Sequence, residues 1–116
     1  GFQNHHIISP TNVATQNHRL LGLAGFNNLD ARVNRIYLPT HESQHPTRSI
    51  HSGRHTTTAM QQVASRMDDV VNRGQAQGWT QSQYQAELRS MLSEYRQDLR
   101  AGNIALNAKA RPWSTM

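Results

Sequence analysis

The chain has 116 residues, room for one domain and too few for two, since domains mostly run near 100–150 residues. It contains no cysteine, which removes disulfide scaffolds, thiolate zinc sites, iron–sulfur clusters and cysteine nucleophiles and leaves His, Asp, Glu or water to hold any metal. The formal net charge is +5, with 11 Arg against 1 Lys; either an anionic polymer is the partner, gripped by the planar fork of arginine, or carboxylates are simply scarce.

Phe2 to Ser9 carries Ile7 and Ile8, ends at Pro10 and is too short for a helix, so a strand is expected with His5 and His6 on opposite faces. Thr11 or Asn12 is placed to cap a helix through Val13, Leu20, Leu21 and Leu23 that stops at Gly25. Asn27, Asn28 and Asp30 signal turns, and Arg35-Ile36-Tyr37-Leu38, closed by Pro39, reads as a second short strand. Thr40 to Ser49 is polar and interrupted by Pro46, as a loop would be. Met60, Val63, Ala64, Met67, Val70 and Val71 then recur at helical spacing, with Gly74 as the expected stop. A second helix is expected from an N-cap at Thr80, with Tyr84, Leu88, Met91, Leu92, Tyr95 and Leu99 on one stripe and Gly102 at its end. The two helices should pack antiparallel across a connection from Gln75 to Trp79, their Met and aromatic stripes serving as core. The fold class is therefore α+β, mostly helical. One domain is expected over 1–116, divided into a His-rich half (1–58), a helical pair (59–102) and a tail (103–116) that holds Lys109, Arg111 and Trp113.

All seven histidines lie in the first 55 residues, at 5, 6, 18, 41, 45, 51 and 55. Leu, Ile, Val and Phe make up only 21 of the 116 residues, a thin core to which a bound ion could add folding energy. His51-Ser52-Gly53-Arg54-His55 has a spacing that on a helix sets two imidazoles on one face, able to grip one ion. Counted back from Met60, the pair falls at about 180° and about 220°, away from the stripe that meets the second helix. The adjacent His5 and His6 strengthen the pattern, because one ring can join an ion while the other stays free to take a proton. His18, His41 and His45 are expected to face solvent, and Asp30 to serve as a turn residue rather than a ligand.

His5-His6-Ile7-Ile8-Ser9-Pro10, Gly25-Phe26, Asp30-Ala31, Asn34, Ile36, Leu38-Pro39 and His51-x-Gly53-x-His55, in that order, resemble the AHH group of toxin nucleases in the HNH/endonuclease VII superfamily. Asn4 stands where the group has its naming alanine, and the segment around Asn34 carries an extra residue, with Arg35 where glycine is usual. The resemblance implies a small ββα-metal core, to which the two helices read from spacing add a C-terminal helical hairpin. It implies that His5, His51 and His55 hold one divalent ion, that His6 is the general base, and that Asn34 braces the loop and so orients His6. Imidazole ligands leave Mg2+, Zn2+ and Ni2+ all open. Arg48 and Arg54 flank the helical histidines and could bind phosphate, stabilise transition-state charge or stay solvated; Arg32 and Arg35 could contact backbone phosphates.

The first reading of function is a metal-dependent endonuclease that hydrolyses DNA phosphodiester bonds with little sequence preference; the resemblance alone implies that it is the C-terminal toxin domain of a secreted bacterial effector. Its partners would be DNA, a cognate immunity protein, and a larger carrier polypeptide or secretion apparatus, with no membrane span. The start Gly1-Phe2-Gln3-Asn4-His5 lacks the charged-then-apolar pattern of a signal peptide. The resemblance then implies secretion without a signal peptide of its own and action in the cytoplasm of a target bacterial cell. Two alternatives stand beside it. One is a non-catalytic module stabilised by zinc that binds nucleic acid or protein; structural zinc sites, however, are usually closed by four ligands and rich in cysteine. The other is a metal-independent ribonuclease using His6 and a second histidine, which leaves the helical His spacing unexplained.

Overall fold

The computed structural model describes residues 2–39 and 57–102. The described chain forms strand β1 (Phe2–His6), helix α1 (Arg19–Leu23), a 3-10 turn (Arg32–Asn34), strand β2 (Arg35–Pro39) and two long helices, α2 (Thr57–Gln77) and α3 (Gln81–Ala101). The expected α+β class and order of elements hold. The tail 103–116, the loop from Thr40 to Ser49 and the segment with His51 and His55 lie outside the described residues.

β1 and β2 pair antiparallel, with Asn4 opposite Tyr37, His5 opposite Ile36 and His6 opposite Arg35. Opposite residues share a face, so the sheet has a core face carrying buried His5, Ile36 and Leu38 and an outer face carrying Asn4, His6, Arg35 and Tyr37. β1 ends at His6 rather than Ser9. Ile7 and Ile8 are both fully buried, and two consecutive side chains cannot both face inward on a strand of period two, so the chain bends there.

The helix expected from Thr11 or Asn12 is much shorter. Asn12 Oδ1 accepts from Ala14 N (2.9 Å) and Asn12 O from Gln16 N (2.8 Å), a turn led by its own side chain that competes with helix. Val13, the first apolar position of the expected stripe, is 86% exposed. The helix starts only after His18, whose extended backbone and Nδ1, accepting from Leu20 N at 3.1 Å, make it the N-cap. Gly25, at φ +63°, follows the helix end as expected.

α2 does not stop at Gly74. A Cβ there would lie 2.2 Å from the ring of Tyr84, so glycine is required by the close approach of the two helices and not by a turn. The stop is Gly78 at φ +66°, where Trp79 N donates back to Gly74 O at 2.9 Å, as in a Schellman ending. The connection between the helices is thus Gly78 to Thr80, shorter than expected. α3 opens with a capping box in which Thr80 and Gln83 exchange bonds (3.3 and 2.8 Å), and closes on Gly102 at φ +74°. Its six buried residues are those of the expected stripe. Arg66 pairs with Glu94, Arg73 with Glu87, and Gly74 touches Tyr84; partners that rise along α2 fall along α3, so the pair is antiparallel. The apolar faces of both helices, α1 and the inner face of the sheet form one core. Among the described residues, no helix is long and apolar enough to cross a membrane.

Candidate functional site

The ladder places His5 inside and His6 outside. His5 is 2% exposed and lies where β1 meets the start of α2, lining a void of about 10 Å³ with Ala59, Met60, Tyr95 and Leu99. The His6 side chain is 23% exposed, and its Nε2 lies 2.8 Å from Asp30 Oδ1. An ionised carboxylate only accepts, so Nε2 carries a proton and the neutral ring keeps its lone pair on Nδ1.

Asn34 is fully buried and holds this arrangement from beneath. Its Oδ1 accepts from Ile8 N (2.8 Å), and its Nδ2 donates to Ile8 O (3.0 Å) and to Leu29 O (2.8 Å). Its backbone O also accepts from Ile7 N at 2.8 Å. One amide therefore ties the segment just after His6 to the turn just before Asp30. Buried amide groups are stable only when so paired, which makes this position unforgiving. Asn28 adds to the turn by accepting from Asp30 N at 3.1 Å.

Arg35 faces outward opposite His6, and its Nε is buried with no hydrogen-bond partner among the described residues. Arg32 is exposed at the start of the 3-10 turn. Arg96 of α3 donates to the backbone O of both Arg32 (2.7 Å) and Arg35, fastening the beginning of β2 to the helical pair.

A family model described as a nuclease family of the HNH/ENDO VII superfamily with conserved AHH matches residues 1–99. The chain belongs to the AHH nuclease family. No curated protein and no solved structure matches it. The match runs well into α3, beyond residues 1–55, which carry the motifs of the resemblance. Asn4, which replaces the alanine of the AHH triplet, is exposed on the outer face, where a larger polar side chain meets no core.

Of the expected site residues of this AHH nuclease, the structure brings His5, His6 and Asn34 together at the end of β1 and places Arg32 and Arg35 beside them. His51, His55, Arg48 and Arg54 lie outside the described residues, as do His41, His45 and Glu42. Among the described residues no three His, Asp or Glu side chains gather as a metal site. Of the expected ligands, His5 alone is described, buried against Ala59 at the start of α2, and an imidazole is a donor that suits a divalent ion.

Two residues exceed their sequence-based roles. Asp30 is not only a turn residue but the hydrogen-bond partner of His6 across 24 residues of chain. His18 is not solvent-facing: its side chain is 9% exposed, and its Nε2 meets Asp68 Oδ1 of α2 at 2.6 Å while Nδ1 caps α1. Nothing local marks either pairing, since each depends on which segments the tertiary fold brings side by side.

Proposed function

We propose that this nuclease is a metal-dependent endonuclease that hydrolyses DNA phosphodiester bonds with little sequence preference. The observation that carries the reading is His6: an imidazole on the outer face of the sheet, its Nε2 held by Asp30 at 2.8 Å and its neighbouring backbone held by buried Asn34, one residue from buried His5. His6 Nδ1 takes the proton of the attacking water as its oxygen bonds to phosphorus and the bond to the 3′ oxygen breaks. The Asp30 carboxylate then stabilises the imidazolium. His5, His51 and His55 would hold one divalent ion (Mg2+, Zn2+ or Ni2+), which when bound supplies Lewis-acid stabilisation of charge on the phosphate and leaving oxygen. Arg32, Arg35, Arg48 and Arg54 contact phosphate rather than bases, which is why little sequence preference is expected.

The role as the toxin domain of a secreted bacterial effector rests on the resemblance to toxin nucleases. So do a larger carrier polypeptide, a cognate immunity protein and action in the cytoplasm of a target bacterial cell. Plasmid nicking tests the core of the proposal. Cleavage should stop with EDTA and return with added divalent ion, and His6→Ala should lower the rate by about 100-fold or more without lowering metal affinity. Cleavage that persists in EDTA, or at full rate in His6→Ala, overturns it.

A further inference from the structure

Resting on that reading, we infer that α3 contributes a phosphate-binding track of its own, so that the arginine-lined groove between β2 and α3 seats the nucleic-acid backbone beside His6. Two adjoining hollows make the groove. One, about 310 Å³, is lined by Asn4, Arg35, Tyr37 and Arg100 together with Arg32 and Arg96; the other, about 240 Å³, by Val33, Arg89 and Ser93 with the same Arg32 and Arg96. Five arginines and no carboxylate line the two.

Arg89, Ser93, Arg96 and Arg100 recur at helical spacing, and so form one stripe along α3 about 16 Å long, which matches about five phosphates of one DNA strand measured along the duplex axis. The ion pairs of the helical pair engage Arg66 and Arg73 on another side. Arg32, Arg35 and Arg89 have no carboxylate partner among the described residues. Arg35 is only partly buried, and it stands on the outer face directly opposite His6. Arg96 has a different part, because its guanidinium already bridges the carbonyls of Arg32 and Arg35 and sets the groove's width.

The groove belongs to the face of the proposed chemistry: Arg35 and Tyr37 share the outer face with His6, and Arg35 is its ladder partner. Tyr37, 60% exposed, lies on that same face. Continuity with His6 favours nucleic acid over an acidic protein as the occupant.

The test uses the full chain carrying His6→Ala, so that a fluorescent duplex of mixed sequence is bound and not cut, with affinity measured across a salt series. Arg89→Gln/Arg100→Gln should weaken binding about tenfold or more at low salt and flatten the log–log salt slope by about two phosphate contacts. Ser93→Lys, adding a charge at an exposed position of the stripe, should tighten binding and steepen the slope by about one contact. Arg96 is left intact because its loss would disturb β2. If the wild-type chain cuts DNA while both variants keep the parental affinity and slope, the track is wrong and the proposed function stands. If the His6→Ala chain does not bind the duplex at all, the function beneath the inference falls with it. An Arg89→Gln/Arg100→Gln chain that cuts normally but escapes an acidic inhibitor protein makes the groove a protein-docking surface and overturns the inference.

Discussion

The two halves of this nuclease are held by different kinds of bond. In the helical pair, the backbone groups at the helix ends are satisfied close by in the chain: Thr80 with Gln83, Trp79 with Gly74, Gly102 with Asp98 and Leu99. In the half that carries the candidate site, the bonds that hold His6 and its flank span 24 to 26 residues, His6 to Asp30 and Asn34 to Ile8. Short elements cannot fix the angle of an imidazole by their own backbone hydrogen bonds, so a buried amide and a turn carboxylate do it. The helical pair contributes most of the core against which that small sheet packs, and Arg96 fastens the two together.

That contrast can be broken at chosen points. Asn34→Ala removes three side-chain hydrogen bonds at a fully buried position; a loss of about 3 kcal/mol in denaturant unfolding is expected, with cleavage falling further than stability alone explains because His6 and Asp30 both lose their support. If cleavage survives in the folded fraction at the parental rate, the clamp does not position His6. Gly74→Ala should cost about 1–2 kcal/mol, because Tyr84 must shift to admit a methyl group. The folded protein should cut normally, which calorimetry and nicking on one preparation would show. Asp30→Asn should leave the melting temperature nearly unchanged, since the residue is exposed, and slow cleavage about tenfold by removing the charge opposite the imidazolium. The smallest effect concerns Tyr95. Burial raises its phenol above the ordinary value of 10.0, partly offset by Arg66, whose guanidinium lies 4.5 Å from the ring centroid. A raised folded pKa favours the protonated, folded state, so this contribution is complete below the unfolded pKa and is lost as pH rises through the folded one. Tyr95→Phe should flatten the fall in stability on the alkaline side, as read from unfolding midpoints.

Legibility differed between the halves for the same reason. The stripe of α3 and its Thr80 and Gly102 ends could be read residue by residue, because periodicity and caps are local properties. β2 could be read from its β-branched and aromatic run closed by Pro39. Gly74 misled, because a glycine that ends a helix and one that admits a neighbour's ring look alike until the neighbour is in place. The stretch from Thr11 to Asn17 misled because Asn12 turned the chain with its own side chain where a helix cap was expected. His5, His6 and Asn34 could be singled out by spacing and resemblance, but Asp30, His18 and the arginines of α3 could not be joined to them.

The amino-acid sequence by itself determined the class, the elements of the back half, the opposed faces of His5 and His6 and the family. These follow from spacing, capping and residue type, which act over a few positions. Only the tertiary structure decided that Asp30 meets His6, that Asn34 ties Ile8 to Leu29 on either side of the candidate site and that α3 sets its arginines beside β2. Those contacts join segments 24 to 64 residues apart, and nothing in a local pattern specifies a partner at that distance until a shared core brings the surfaces together.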